Sequence, residues 1–349
     1  MPAYRRQALG VVCFTEEELL MEGQIHMIWN WIVAVDLFGA GLSAGTFIIS
    51  ATAYFIGRDR YEPMTRIGAY IAPFPVIVGI LCLIYDLERP HLFWRLFLTF
   101  QPNSVMSFGS WLLLFFSIFS LMHFYLWLPE RYDYLKIIPA IRSNRFLSRF
   151  RGDNLANIRG LVAGFGIPIS IGVGIYTGVL LGALTARPFW NNPMLPMLFL
   201  ISAMMTGSAA ICFVGCFVKG FRGMSREQIN TNKFMIHSID FTLMVFSIIA
   251  TFLFILGLYV SPRSSAEAVH LIMGGEFTLL FWTLVVGVGI LLPLALEVYE
   301  LIPHYITHVE LREHNPWISG IIATSVLIGA FAMRYVVIYA GQMAQIISS

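Results

Sequence analysis

The segment DLERPHLFWRLF, from Asp86 to Phe97, lies between two long apolar runs, residues 66–86 and 104–128. A helix needs about 20 consecutive apolar residues to cross the hydrocarbon core of a bilayer, and each run is long enough. The polar segment is therefore predicted to connect two membrane-spanning helices at one surface of the membrane. It contains two carboxylates, two arginines, a histidine and a proline.

The composition of the whole chain indicates the same class of protein. Of its 349 residues, 58% are hydrophobic and only 12% are charged, whereas about a quarter of the residues in a soluble domain are charged. The formal net charge is +2, so we expect no nucleic acid partner. The predicted fold is all-α, a polytopic helix bundle surrounded by membrane lipid.

Eight stretches are long and apolar enough to form transmembrane helices. They cover residues 26–57, 66–86, 104–128, 159–185, 194–218, 234–260, 271–298 and 316–341. Residues 26–341 are thus predicted to form one bundle, preceded by an extramembrane segment, 1–25, and followed by a tail, 342–349. The first segment lacks the pattern of a signal peptide, so we expect the first helix itself to direct insertion.

The distribution of Lys and Arg predicts the orientation of the bundle. Fifteen of these residues lie in or at the edges of the connections after the first, third, fifth and seventh helices, and only six lie on the other side. Cytoplasmic connections carry the excess of positive charge. Both termini and the segment from Asp86 to Phe97 are therefore predicted to face outward, the periplasm in a bacterium.

Inside the predicted helices we single out five ionisable residues: Asp36, Asp240, Glu276, Glu297 and Arg334. An ionisable side chain within the bilayer costs about 2.5–3.5 kcal/mol unless it is paired or hydrated, so each is a candidate functional group. Such groups are suited to handling protons. Structural roles are the alternative: Asp240 and Glu297 lie near cytoplasmic helix ends, where water reaches them, and Asp36 and Arg334 share the outer half, where a plain salt bridge would explain both.

Histidine and cysteine residues do not form an obvious metal site. All eight histidines fall in connections or near predicted helix ends, whereas a bis-histidine haem needs two at membrane depth on facing helices. The four cysteines include Cys212 and Cys216 on one helix face, but no second pair completes the four ligands of an iron–sulfur cluster or a structural zinc. We expect no haem, iron–sulfur cluster or metal ion in this chain.

Buried protonatable groups without metal ligands suit a protein that handles protons and a small redox molecule, with the electrons held by another subunit. A quinone fits this description, because its reduction needs protons and its ring needs apolar walls. His26 and Asn30 lie one turn apart at the outer start of the first helix, and Tyr176 lies in the outer half of the fourth. With Asp36 they are the predicted quinone-pocket residues, although an interfacial His26 and a Tyr176 buried for packing are equally compatible with the sequence.

Three segments resemble the NrfD/polysulfide reductase membrane-subunit family. DLERPHLFWRLFLTFQPNSVMSFGSW, from Asp86 to Trp111, is similar to its first signature. YTGVLLGALTARPFWNNPMLPMLFLISAMMTG, from Tyr176 to Gly207, is similar to its second, and LFGAGLSAG, from Leu37 to Gly45, to its first-helix glycine motif. The resemblance extends over about residues 26–300.

The resemblance implies an eight-helix anchor that binds menaquinone or ubiquinone and has no cofactor of its own. It implies an extrinsic ferredoxin-like iron–sulfur partner, which connects to a molybdopterin-type or other catalytic subunit. The quinone is expected near the face where that partner docks, with residues of the first and fourth helices around it. Tyr176 matches the tyrosine of the second signature, whereas Asp36 stands close to a position where polysulfide reductase-like members carry a quinone-contacting histidine.

The opening segment then has an expected role. Asp86, Arg89 and His91 are predicted to lie at the outer face, where they roof the quinone pocket and present polar groups to the iron–sulfur partner. Asp86 and Arg89 are three residues apart, and a pairing that stabilises the turn before Pro90 is at least as compatible with the sequence.

Three function classes remain open at this point. The first is a redox anchor in a bacterial or archaeal cytoplasmic membrane, active as an oxidoreductase only with its partners, with or without coupling to proton movement. The second is a proton channel or transporter that uses the same buried acids. The third is a passive scaffold that has lost quinone chemistry. Transporters often contain inverted repeats, whereas the two similar Ser-x-Met-x-x-Gly-Ser stretches of this protein, Ser104–Ser110 and Ser202–Ser208, are predicted to run in the same direction, which favours the anchor.

Overall fold

The computed structural model describes residues 29–57, 60–87, 89–98, 101, 104–128, 155–217, 226–260, 263–307 and 316–344. Every regular element in these ranges is helical, and they contain no β-strand. The all-α prediction is therefore confirmed for the described part of the chain.

The α-helices are α1 Trp31–Ile56, α2 Glu62–Ile71, α3 Pro73–Asp86, α4 Arg95–Leu98, α5 Val105–Trp127, α6 Leu155–Gly182, α7 Leu195–Phe217, α8 Arg226–Val260, α9 Arg263–Met273, α10 Thr278–Leu280, α11 Leu292–Thr307 and α12 Pro316–Met343. A π-helix, Phe281–Leu291, joins α10 to α11, and a 3-10 turn, Pro90–Leu92, precedes α4. The break between α2 and α3 falls at Ala72, before two prolines that cannot donate a backbone hydrogen bond.

Eight helical spans in the described ranges are long and apolar enough to cross a membrane. They are α1, α2 with α3, α5, α6, α7, α8, the run from α10 through α11, and α12. The protein is a multi-pass integral membrane protein. The seventh span was predicted to begin at residue 271, but it begins at Thr278. Residues 271–273 instead end the separate short helix α9, and a turn follows them.

We describe the spans as two groups of four. The first bundle contains α1, α2 with α3, α5 and α6, and the second bundle contains α7, α8, the run from α10 through α11, and α12. In the first bundle α1 packs against α2, α3 and α6, and α5 packs against α6. In the second bundle α7 packs against α8 and α12, and α12 packs against the π-helix and α11. Contacts of α1 with α7 and α12, and of α6 with α7, join the two bundles.

The crossing of α1 and α7 depends on two glycines. A Cβ atom at Gly45 would overlap the backbone of Ala203, and one at Gly207 would overlap the backbone of Gly45. Small residues allow transmembrane helices to approach closely where no hydrophobic force drives their association. The glycine motif of the first helix therefore serves the junction between the two bundles.

We name the two ends of the bundle by the predicted orientation. The outer end is the one where α1 begins, near Asn30, and the inner end is the one where α1 finishes, near Ile56. The charge count predicts that the inner end faces the cytoplasm. Ser143 lies in the basic connection outside the described residues. In a variant whose Cys13, predicted to face outward, is replaced by Ser, Ser143→Cys should therefore resist a membrane-impermeant thiol reagent in intact cells and react after permeabilisation. Labelling in intact cells would reverse the orientation.

Candidate functional site

The carboxyl group of Asp36 lies inside the first bundle. Asp36 is 8% exposed, and its Oδ1 faces Gly79 of α3 so closely that a Cβ atom there would lie 2.7 Å from it. Asp36 makes no hydrogen bond or ion pair with another residue of the described part of the chain. A buried carboxyl group without such a partner is costly in a bilayer, which makes it a candidate functional group.

Tyr176 of α6 interacts electrostatically with this carboxyl group. Its ring fills the space beside Gly109 of α5, where a Cβ atom would overlap the phenol. Tyr176 is 9% exposed and lies close enough to Asp36 for an electrostatic interaction. Gly109 belongs to the first signature and Tyr176 to the second, so the fold brings the two signatures into contact.

A cavity of about 660 Å³ lies between the outer halves of α5 and α6. Its walls are mostly apolar, with Leu112, Pro168 and Ile175 among them, and its lining residues with a hydroxyl group are Ser104 and Tyr176. Phe108 and Val179, which also line it, are exposed on the side of the bundle. The cavity therefore opens sideways, towards the hydrocarbon region of the membrane.

The other predicted pocket residues lie at the outer end. Asn30 is exposed and caps the start of α1 without a side-chain hydrogen bond, while His26 falls outside the described residues. Arg89 and His91 are exposed and Asp86 is half-buried. Asp86 and Arg89 do not form an ion pair with each other, so the predicted pairing before Pro90 is absent from the structure.

Arg334 of α12 does not pair with Asp36. Its Nε donates to the Leu37 carbonyl at 3.1 Å, and its Nη1 donates to Ser202 Oγ and to the Ala330 carbonyl, both at 3.0 Å. The guanidinium also lies 5.6 Å from the ring centroids of Phe38 and Phe199. Asp36 faces α3 while the Leu37 carbonyl faces α12, so the backbone of α1 separates the two charged groups.

A second polar cluster lies near the inner end of the second bundle. Nδ1 of His237 on α8 lies 2.9 Å from both carboxyl oxygens of Glu297 on α11. Nε2 of His237 lies 3.3 Å from Ser319 Oγ and 3.6 Å from Glu300 Oε2. Asp240 lies one turn along α8, within electrostatic range of both His237 and Glu297.

The side chains of this cluster are buried, whereas the structural alternative from the sequence placed Asp240 and Glu297 at helix ends that water reaches. Glu297 is fully buried, and His237 and Asp240 are each 2% exposed. Glu276, by contrast, is exposed in the turn before α10 and joins neither cluster. Of the five predicted proton-handling residues, the structure therefore groups Asp240 with Glu297, places Asp36 and Arg334 on opposite sides of α1, and leaves Glu276 at the surface.

Two histidines have environments that the sequence alone did not reveal. The sequence predicted that His237 lies near a helix end, and it does. The sequence did not reveal that His237 contacts the carboxylate of Glu297. His123 of α5 is fully buried, and its Nε2 lies 2.9 Å from Ser50 Oγ of α1. One signal was available for His237: His237 with Asp240, and Glu297 with Glu300, each repeat at i and i+3, which places both members on one helix face.

The sequence is similar to those of known proteins over most of its length. Residues 20–346 match the family described as polysulphide reductase, NrfD. One polypeptide of the polysulfide reductase of Wolinella succinogenes is 33% identical over 330 residues, which cover 90% of this chain and 95% of that protein. An NrfD homolog of Haemophilus influenzae is 28% identical over 330 residues, 91% of this chain and 95% of the homolog.

A third relative is named for a different reductase. One subunit of the selenate reductase of Mesobacillus selenatarsenatis is 24% identical over 340 residues, 90% of this chain and 74% of that protein. The family match covers all eight spans, and the two signatures meet at Tyr176 and Gly109. The chain therefore belongs to the NrfD family of polysulphide reductase proteins.

Proposed function

We propose that the chain is the quinone-reactive membrane subunit of a multisubunit reductase. The observation that carries this proposal is the lateral cavity of the first bundle, at whose wall Tyr176 lies within electrostatic range of the buried Asp36. The names of the relatives support a role within a complex, since two of them are designated as single polypeptides of a larger reductase.

The cavity has the properties that a quinone requires. Ligand pockets have volumes of about 300–1,000 Å³, are mostly apolar and contain few polar groups. A cavity of about 660 Å³ between α5 and α6 lies in this range. Its side opening suits a ligand that carries a long apolar tail and arrives from the lipid, and its depth in the outer half leaves the ring near the outer surface.

Tyr176 and Asp36 would supply the polar chemistry. Interconversion of a quinone and its quinol exchanges two electrons and two protons. The Tyr176 hydroxyl can hydrogen-bond a ring oxygen from the cavity wall, and the Asp36 carboxyl group behind it can accept or return a proton. Neither residue can carry electrons at ordinary potentials, so a partner must supply or remove them.

The partner is an extrinsic ferredoxin-like iron–sulfur subunit at the outer end, connected in turn to a molybdopterin-type or other catalytic subunit. The segment between α3 and α5 presents Arg89 and His91 to solvent, together with the exposed rings of Phe93 and Trp94. Aromatic and arginine side chains are enriched in protein interfaces. A cluster docked there would lie on the same side of the membrane as the proposed quinone site.

Filling the cavity tests the proposal. Ile175→Trp adds bulk to the cavity wall, whereas Ile118→Trp adds the same side chain to an exposed position of α5 that does not line the cavity. We expect Ile175→Trp to lower quinone-linked turnover of the purified complex by about 10- to 200-fold, the range for a misfit in an apolar pocket. Ile118→Trp should resemble the wild type.

The electron acceptor separates the membrane step from the soluble steps. Electron transfer between the extrinsic subunits and an artificial dye bypasses the cavity, so both variants should retain it. Equal quinone-linked turnover in the two tryptophan variants would show that the cavity is not the quinone site. Wild-type complex that reacts with the dye but with no quinone would identify the chain as a passive anchor instead.

A further inference from the structure

The hydrogen-bonded cluster of the second bundle is not used by the chemistry proposed for the first. Three carboxyl groups, Asp240, Glu297 and Glu300, surround one imidazole, His237. An imidazolium can offset only one carboxylate, and an unpaired charge is disfavoured inside a bilayer. At least one more proton must therefore be shared within this cluster when the protein is in its membrane.

The surroundings of His237 contain few other charges. Lys233, one turn towards the inner end of α8, interacts electrostatically with Glu300, and Cys212 of α7 lies within electrostatic range of Asp240 and Glu297. The α12 helix contributes only the Ser319 hydroxyl. The proton balance of the cluster is thus set mainly by its own imidazole and carboxyl groups.

Among the described residues, Glu300 offers the cluster an exit towards the inner surface. Glu300 lies one turn beyond Glu297 on α11, and its side chain is 16% exposed, whereas the side chains of His237 and Glu297 are 3% and 0% exposed. Glu300 Oε2 lies 3.6 Å from His237 Nε2. A small rearrangement of this side chain would connect the buried imidazole to water at the inner end.

Polar groups also continue from the cluster towards the outer half. The Ser208 hydroxyl, fully buried beside Asp240, makes no well-formed hydrogen bond to a described residue. Further along, Ser202, Ser247 and Thr251 line a cavity of about 20 Å³. A cavity of about 10–15 Å³ with polar partners is sufficient for one water molecule.

The small cavity lies further towards the outer half than the cluster, near the junction of the two bundles. It is bordered by Gly289 of the π-helix and by Gly329 of α12, and π-helical turns in α-helices often occur at functional sites. Ser202 accepts a hydrogen bond from Arg334, which also donates to the carbonyl of Leu37, next to Asp36. Arg334 therefore contacts both Ser202, which lines the small cavity, and the helix that carries the proposed quinone-site acid.

We propose that the second bundle contains a proton-exchange site, formed by His237, Glu297 and Asp240, that loads from the inner end through Glu300 and moves protons across the membrane during quinone turnover. The site is separate from the quinone pocket, and Arg334 links the two. The inference rests on the proposed quinone function, since turnover at the first bundle drives it. The ligand is a proton, and no redox step occurs at the cluster.

The test measures protons per electron. The whole complex is reconstituted in liposomes and supplied with quinol and with ferricyanide, an electron acceptor for the extrinsic subunits that takes up no proton when it is reduced. The reaction is followed with a pH-sensitive dye. Quinol oxidation alone releases one proton with each electron. We expect the wild type to deliver more than one proton per electron to the side of the outer end, and one proton per electron or fewer would overturn the proposal.

Variants locate the additional protons. Glu297→Gln and His237→Gln should each reduce the yield to that of quinol oxidation alone, and Glu297→Asp, which keeps the carboxyl group, should restore part of the difference. Glu62→Gln, at an exposed pair with Arg66 near the inner end, is the matched control. The ratio does not depend on how fast a variant turns over.

The two proposals fail in different ways. Absence of quinone-linked turnover in the wild type contradicts the quinone function. Normal turnover with an unchanged proton yield in Glu297→Gln or His237→Gln overturns the proton-exchange site and leaves the quinone function in place.

Discussion

Replacing Asp36 with Asn will slow quinone-linked turnover by about 10²–10⁴-fold, the usual effect of losing a general acid–base group. Asparagine keeps the shape of the side chain beside Gly79 but cannot bind and release a proton. Asp36 is buried without a hydrogen-bond or ion-pair partner in the described residues, and it lies within electrostatic range of Tyr176, which lines the cavity. The rate is measured on the purified complex with a soluble quinol analogue.

Two controls separate a proton role from a structural one. Ser43→Ala removes another buried polar group from the same helix, two turns deeper, and should leave turnover within about twofold, as expected for a position outside the site. Electron transfer from the soluble subunits to a dye should persist in Asp36→Asn. Unchanged quinone turnover would refute the proton role, and loss of the iron–sulfur partner during purification would show that Asp36 is needed for assembly.

Truncating Arg334 will produce the largest loss of stability among the substitutions considered. Arg334 is the largest fully buried side chain, and its hydrogen bonds connect α12 to α1 and α7. Arg334→Ala leaves a cavity beside Gly41 and between two phenylalanine rings. We expect the free energy of unfolding to fall by about 2–5 kcal/mol, as for large-to-small core substitutions, measured by unfolding in mixed detergent micelles.

Comparison with methionine separates volume from hydrogen bonding. Hydrogen bonds between membrane helices contribute on average only about 0.6 kcal/mol, and burying a charge opposes folding. Arg334→Met, which restores most of the volume without the charge, should therefore recover most of the stability lost in Arg334→Ala. If methionine is as damaging as alanine, the bonds to Leu37 and Ser202 hold the helices together and the volume argument is wrong. Ile328→Met, at an exposed position of α12, controls for the new side chain.

The eight spans could be predicted because they depend on a local property. An apolar run of sufficient length forms a helix in lipid wherever it occurs, since no water is present to satisfy its backbone groups. The observed spans differ from the predicted runs mainly at their ends, where turns such as the one between α9 and α10 interrupt an apolar stretch. The signatures around Gly109 and Tyr176 also pointed to a site, because each is a local pattern that can be read without knowing that the two residues touch.

Which side chains meet was decided only by the tertiary structure. The sequence sets how deep a residue lies along its helix, but the neighbours also depend on the rotation of each helix about its axis and on which helices are adjacent. Asp36 and Arg334 lie in the same half of the membrane, yet the backbone of α1 separates them. His237 and Glu297 are 60 residues apart in the chain, but the packing of α8 against α11 brings them into contact. Ser319 of α12 lies against the same imidazole, and both side chains are buried.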